Sequence, residues 1–301
     1  VTDSSAPIVV GVNGSSEALG AARWAGALAE RLAAPLHILV AVPMASHSRS
    51  AADRAVEIDA AEMILRTTAK SVHDDHPGLV VTTASTSIPA AETFVAASRT
   101  ARLLVLGCDD VTATGALLIG STTLATVAHA SCPVVAWRGA ATNPTHEAIV
   151  VDFDGLPDDG GALGLAFELA DRLQAPLQAV YCWSHHPLSR MDTGPTEIDW
   201  NPTTQAQWRH LDHLLTPWRE RHPRVHAMLI CEANKASYAL LLYSDNAQLV
   251  VLGGRRSGAL NRGLVGSTAL NLLHHCQVPV VLCPVITDGS AATLPDAMIT
   301  G

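Results

Sequence analysis

The sequence predicts two tandem α/β domains, each a doubly wound parallel sheet of Rossmann-like or flavodoxin-like type. Three observations carry this expectation. The chain repeats itself at an offset near 140 residues. Each copy alternates short apolar runs with longer helical patterns, and the join between copies is polar. The 301 residues are 48% apolar and 16% charged, which allows two cores at about 100–200 residues per domain.

The repeat is legible in four places. Ile8-Val9-Val10-Gly11-Val12-Asn13-Gly14 returns as Ile149-Val150-Val151-Asp152-Phe153-Asp154-Gly155, and Arg31-Leu32-Ala33-Ala34-Pro35-Leu36 as Arg172-Leu173-Gln174-Ala175-Pro176-Leu177, both offset by 141. Gly120-Ser121-Thr122 returns as Gly266-Ser267-Thr268, and Pro133-Val134-Val135 as Pro279-Val280-Val281, both offset by 146. A period this long marks a duplicated domain rather than a solenoid. The join falls at 138–147, polar with Gly and Pro. The expected division is therefore 1–140, 147–286 and a tail, 287–301.

Taken in order, the apolar runs of the first copy are 8–12, 36–42, 79–83, 103–107 and 133–137. Such near-continuous, β-branched stretches suit strands buried on both faces of a parallel sheet. Between the first two, Leu19, Ala22, Ala25, Leu28, Ala29 and Leu32 fall on one helical face, and Pro35 stops that helix. Further helical patterns occupy 51–73, 90–100 and 121–130. Strand and helix alternate through each copy, which is the doubly wound order. Residues 184–203, rich in Pro, His and Thr, read as a surface loop, and the end from Thr287 onward as frayed.

Composition excludes several functions. A net charge of -9 argues against a nucleic-acid binder carried by bulk charge. No run of about 18 apolar residues occurs, so no membrane-spanning helix is expected. Residues 1–5 lack the basic and apolar regions of a signal peptide. The six cysteines are scattered without a CxxC spacing, which reads as reduced, buried thiols. A soluble, cytoplasmic protein is expected. His210 and His213, His73 to His76, His185-His186 and His274-His275 lack zinc-site spacing and read as solvated faces and helix ends, with no metal site implied. Trp183, Trp200, Trp208 and Trp218 read as core or interface packing.

The informative segment is Gly253-Gly254-Arg255-Arg256 through Gly266-Ser267-Thr268. It follows an apolar run and enters a helical pattern over Ser267 to His275. Free N–H groups at that helix start, with the Ser267 and Thr268 hydroxyls, make a phosphate-sized anion site. In a doubly wound sheet ligands lie beyond the carboxyl ends of the strands, where the winding reverses. Asp154, just after the first strand of the second copy, is placed to share that crevice. Its carboxylate can accept hydrogen bonds from ribose hydroxyls or an exocyclic amine; a second reading is that it caps the following helix. The corresponding first-copy residues are Asn13, Gly107, Gly120 and Ser121. For Asn13 a structural role stands beside a ligand-binding one.

These segments resemble the universal stress protein family in its tandem form, over roughly residues 7–138 and 147–286. The resemblance implies sheets of strand order 3-2-1-4-5, association through the last strand and ATP as the candidate ligand. The family's ATP-binding members carry a glycine loop, Gly-x2-Gly-x9-Gly-(Ser/Thr), and an Asp ending the first strand. Here Asp154, Gly253, Gly266 and Ser267 match in the second copy, with Arg256 at the middle glycine. In the first copy Gly107, Gly120 and Ser121 match, with Asp110 at the middle glycine and Asn13 at the Asp.

Charge ranks the two copies. A unit charge about 5 Å from a phosphate interacts by roughly 3 kcal/mol at an effective dielectric near 20. Asp109-Asp110 opposes a polyphosphate, whereas Arg255-Arg256 favours one. The second copy is the expected adenine-nucleotide site. No GxSxG or P-loop is present, and Lys70 and Lys235 are the only lysines. Activating a γ-phosphate needs charge stabilisation and a positioned water or acceptor, and no dedicated base is visible. A non-catalytic or very weakly hydrolytic regulatory protein of the stress response is expected. A different reading also stands: an interaction scaffold independent of nucleotide, whose strands at 133–137 and 279–283 pair the two copies or two chains. A homodimer and an intramolecular pseudo-dimer are thus both open.

Overall fold

The computed structural model describes residues 5–42, 50–108, 120–139, 141–156, 161–183, 202–253 and 265–284. The first half runs β1 (Ile8–Gly11), α1 (Ser16–Leu32), β2 (Leu36–Ala41), α2 (Ala51–Asp75), β3 (Val81–Thr86), α3 (Ala90–Ala97), β4 (Leu103–Gly107), α4 (Ser121–His129) and β5 (Val134–Trp137). The second half repeats it as β6 (Ala148–Asp152), α5 (Ala162–Leu173), β7 (Leu177–Cys182), α6 (Pro202–Arg221), β8 (Ala227–Glu232), α7 (Ala236–Ser244), β9 (Ala247–Leu252), α8 (Ser267–His275) and β10 (Val280–Leu282).

Among the described residues the ten strands form one sheet, ordered β3-β2-β1-β4-β5-β10-β9-β6-β7-β8. Each half has the expected 3-2-1-4-5 order with parallel pairing. The two halves meet at an antiparallel ladder, Val280 opposite Ala136, Val281 opposite Val135 and Leu282 opposite Val134. Both fifth strands therefore pair within the chain.

Helix α1 shows why the elements form where they do. Ser15 caps it, its Oγ accepting from the Ala18 N–H at 3.1 Å, which satisfies one of the orphan donors of the first turn. Small residues let it press onto the sheet, and Ala18, Ala21, Ala22, Ala25 and Ala29 are all buried. Gly20 is required by close approach, because a Cβ there would lie 2.4 Å from the Trp137 ring. The helix ends at Ala33, in the left-handed region at φ 51°, just before Pro35. Helix α5 ends the same way at Gln174, φ 54°, before Pro176.

The core on the α1 and α5 side is continuous across both halves, joining Ile8, Leu28 and Ile38 to Ile149, Phe167 and Leu177. Phe167 stacks on Trp218 at 5.9 Å between ring centroids, and truncating such a buried ring costs about 3–5 kcal/mol. Trp24 and Trp137 are also buried, Trp208 is half-buried and Trp200 lies outside the described residues.

Three expectations need correction. The run 79–83 is not the third strand as drawn: β3 starts at Val81 and runs through Thr82, Thr83 and Ser85, half-exposed along its length. It is an edge strand, so one flank needs no apolar cover. Helix α6 begins at Pro202, inside the expected loop 184–203, whose residues 184–201 lie outside the described set, as does the tail from Thr287. Cys231 is half-buried rather than buried, although all six cysteines are free. Burial pushes the Cys132 thiol up to about 12 and, with Glu232 nearby, that of Cys231 to about 11, so neither is a ready nucleophile.

Candidate nucleotide crevices

In each half the first and fourth strands end side by side, the place where a doubly wound sheet opens a crevice. In the second half the register sets Val150 beside Val250 and Val151 beside Val251. Asp154 and Gly253 therefore leave the sheet from adjacent strand ends. In the first half Val10 lies beside Val105 and Gly11 beside Leu106, which brings Asn13 and Gly107 together in the same way.

The two turns after the first strands are built alike. Asn13 Oδ1 accepts from the Ser15 N–H at 3.0 Å, and Asp154 Oδ1 from the Leu156 N–H at 2.9 Å. The following Gly14 and Gly155 have φ 87° and 72°, a region glycine enters at little cost. Asp154 thus closes an Asx turn. The capping alternative is ruled out, because the N-cap of α5 is Gly161. Asp154 is half-buried and Asn13 exposed.

The fourth-strand glycines differ. A Cβ on Gly107 would stand 2.8 Å from the Glu17 carbonyl oxygen and 3.0 Å from the Ala18 nitrogen. The first turn of α1 therefore abuts the strand end. At Gly253 the nearest contact would be the Ala162 Cβ at 3.4 Å, ordinary packing. The first crevice is the tighter at this point. In the same first turn of α1 the Glu17 carboxyl is held below its ordinary range by hydrogen bonds from the backbone and from the Ser16 hydroxyl.

Helices α4 and α8 carry the two helix starts expected to meet a phosphate. Their N-caps, Gly120 and Gly266, are extended, at φ -60° and -64°, and neither makes a side-chain cap bond. Their first-turn N–H groups keep the donor character that a Ser or Asp cap would quench. Ser121 and Ser267 are exposed there, with Thr268 half-buried. Of the other expected residues, Arg256 lies outside the described residues, as do Asp109, Asp110 and Arg255. The charge ranking rests on those four.

Two side chains beside the turn after β6 are not among the expected site residues: the sequence reads Trp183 as packing and does not single out Tyr181. The Tyr181 ring lies against the turn after β6, since a Cβ on Gly155 would stand 2.9 Å from it. Trp183 stands edge-on to Tyr181 at 6.4 Å. The signal was available: at the 141 offset these residues replace Val40 and Val42.

The pattern of the universal stress protein family matches residues 5–138 and again 146–284. The chain belongs to the universal stress protein family. Its two matched units make it a tandem member. It is 29% identical over 303 residues to a universal stress protein of Mycobacterium tuberculosis, covering 93% of this chain and 97% of that one. A universal stress protein of Mycolicibacterium smegmatis is 28% identical over 286 residues, covering 91% and 96%. Among solved structures, a universal stress protein from Archaeoglobus fulgidus superposes with a TM-score of 0.70 at 15% identity, covering 92% of this chain and 97% of that one. That likeness supports the fold. Among the described residues no helix is long and apolar enough to cross a membrane.

Proposed function

We propose that this tandem universal stress protein binds an adenine nucleotide, with ATP as the candidate, in the crevice of its second half. The nucleotide acts as a regulatory ligand, favouring whichever conformation binds it better. The observation that carries the reading is the pairing of β6 with β9, which ends the two strands side by side, with Asp154 in the turn after β6 and Gly253 directly after β9, from where the sequence leads to the uncapped start of α8 at Gly266. A carboxylate for ribose or amine hydrogen bonds and a helix start for phosphate then belong to one crevice. The tighter fit at Gly107 weighs against the first half.

Turnover is not part of the proposal. Lys70 is committed to Asp74 on the surface of α2, and Lys235 is the N-cap of α7.

Titration calorimetry with ATP on the full chain tests the reading. Binding that weakens at least tenfold in Asp154→Ala and in Gly266→Ala is the expected result. An unchanged affinity in both variants refutes the placement. No heat at millimolar ATP leaves the scaffold reading, which the β5–β10 ladder joining the two halves favours.

A further inference from the structure

We infer that the second half reads the base of its nucleotide against an aromatic wall, Tyr181 and Trp183, which the first half lacks. The inference rests on the nucleotide reading above. The duplication supplies the control. At the 141 offset Val12, Val40 and Val42 become Phe153, Tyr181 and Trp183. Phe153 is 2% exposed and Val12 4%, so that exchange repacks a core position. The other two exchange an aliphatic side chain for an aromatic one at strand-end positions. Val40 is 3% exposed and Tyr181 half-buried, while Val42 and Trp183 are both half-buried.

The wall is placed and held. Tyr181 lies against the Asp154-Gly155 turn, with the built Gly155 Cβ at 2.9 Å from its ring. Phe153 meets Tyr181 edge-on at 6.5 Å and 64°, and Tyr181 meets Trp183 at 6.4 Å and 69°. Gln207 of α6 donates to the Tyr181 hydroxyl at 3.3 Å, which anchors the phenol. The Trp183 backbone N–H donates to the Glu232 backbone carbonyl at 3.0 Å, so the residue continues the β7–β8 ladder by one rung. Rings fixed on strand ends make a platform that needs no reorganisation. An aromatic face stacks any planar base and has little to offer an inorganic phosphate. A valine has no π face. The wall thus assigns recognition of the base to β7, separately from the phosphate-binding start of α8.

The test measures ATP and inorganic triphosphate binding by calorimetry on the full chain. The variants are Trp183→Val and Tyr181→Val, which install the first-half residues, and Trp183→Phe, which keeps a ring. The expected result is ATP affinity at least tenfold weaker in each valine variant, triphosphate affinity unchanged, and Trp183→Phe within about threefold of the parent. ATP affinity unchanged in both valine variants overturns the inference while leaving the nucleotide reading intact. Trp183→Phe as weak as Trp183→Val also overturns it, since the loss then follows the indole's fit and not stacking. A parent chain that takes up no ATP sinks the nucleotide reading and the inference with it.

Discussion

The guanidinium of Arg102, at the entry to β4, pairs with the carboxylate of Glu168 on α5, tying the first half to the second. Arg102 is only 5% exposed at its side chain, and its Nη1 also donates to the Leu32 carbonyl at 3.2 Å. Removing Glu168 leaves a buried cation. Because Glu168 itself is about a third exposed, Glu168→Ala should cost about 1–2 kcal/mol, less than a fully buried pair. Urea denaturation checks the loss. A double-mutant cycle with Arg102→Met should show coupling of the two sites.

Arg138 behaves in the opposite way. Its side chain is buried, Nη1 donates to the Cys276 carbonyl at 3.3 Å, and Nε and Nη2 have no hydrogen-bond partner. A buried guanidinium with at least three of its five N–H donors unsatisfied is costly. Arg138→Met should hold or raise the thermal midpoint. A fall of several degrees would show that the α8 carbonyl contact outweighs the unsatisfied donors.

Gly107 and Gly253 should separate under substitution. Gly107→Ala drives a Cβ into the α1 backbone and should destabilise by about 1–3 kcal/mol. Gly253→Ala meets only ordinary contact and should stay within about 0.5 kcal/mol of the parent. Chemical denaturation of the two variants side by side gives the comparison.

Ala33 and Gln174 both hold left-handed backbone at the ends of α1 and α5. Glycine relieves that strain by about 1 kcal/mol but adds freedom to the unfolded chain. Ala33→Gly and Gln174→Gly should each stabilise by roughly 0.5 kcal/mol, with additive midpoints because the sites lie in different halves.

His37, on β2, has its pKa lowered by burial, and its Nδ1 lies 2.9 Å from the Thr82 hydroxyl. A depressed histidine binds protons more readily unfolded than folded. Its neutral form costs nothing above the unfolded value near 6.5, and stability is lost as pH falls below it. Urea midpoints of the parent should drop between pH 7.5 and 5.5 by more than those of His37→Gln.

Much of this was legible in the sequence, for identifiable reasons. Pro35 and Pro176 stop their helices by covalent geometry, and the valine runs of β4 and β5 need no context to mark buried strands. β3 was misplaced because an edge strand tolerates Thr82, Thr83 and Ser85, leaving Leu79 and Val80 as the louder apolar signal. Arg102 and Glu168 stand 66 residues apart in different copies, and no local pattern joins them. At the site, Asp154 and the Gly266-Ser267 start were visible as residue types. The turn that Asp154 closes and the ring beside Gly155 depend on a fold that sequence spacing describes only in outline.

The antiparallel ladder between β5 and β10 encloses the molecule's approximate twofold axis within one polypeptide. In a dimer of identical chains, any change at one crevice is forced on the other. Covalent fusion lifts that constraint: a valine can become an indole on one side while its twin stays aliphatic. Such a chain can keep one receptor for a small molecule and give the other over to a different task, without losing the architecture that both inherited.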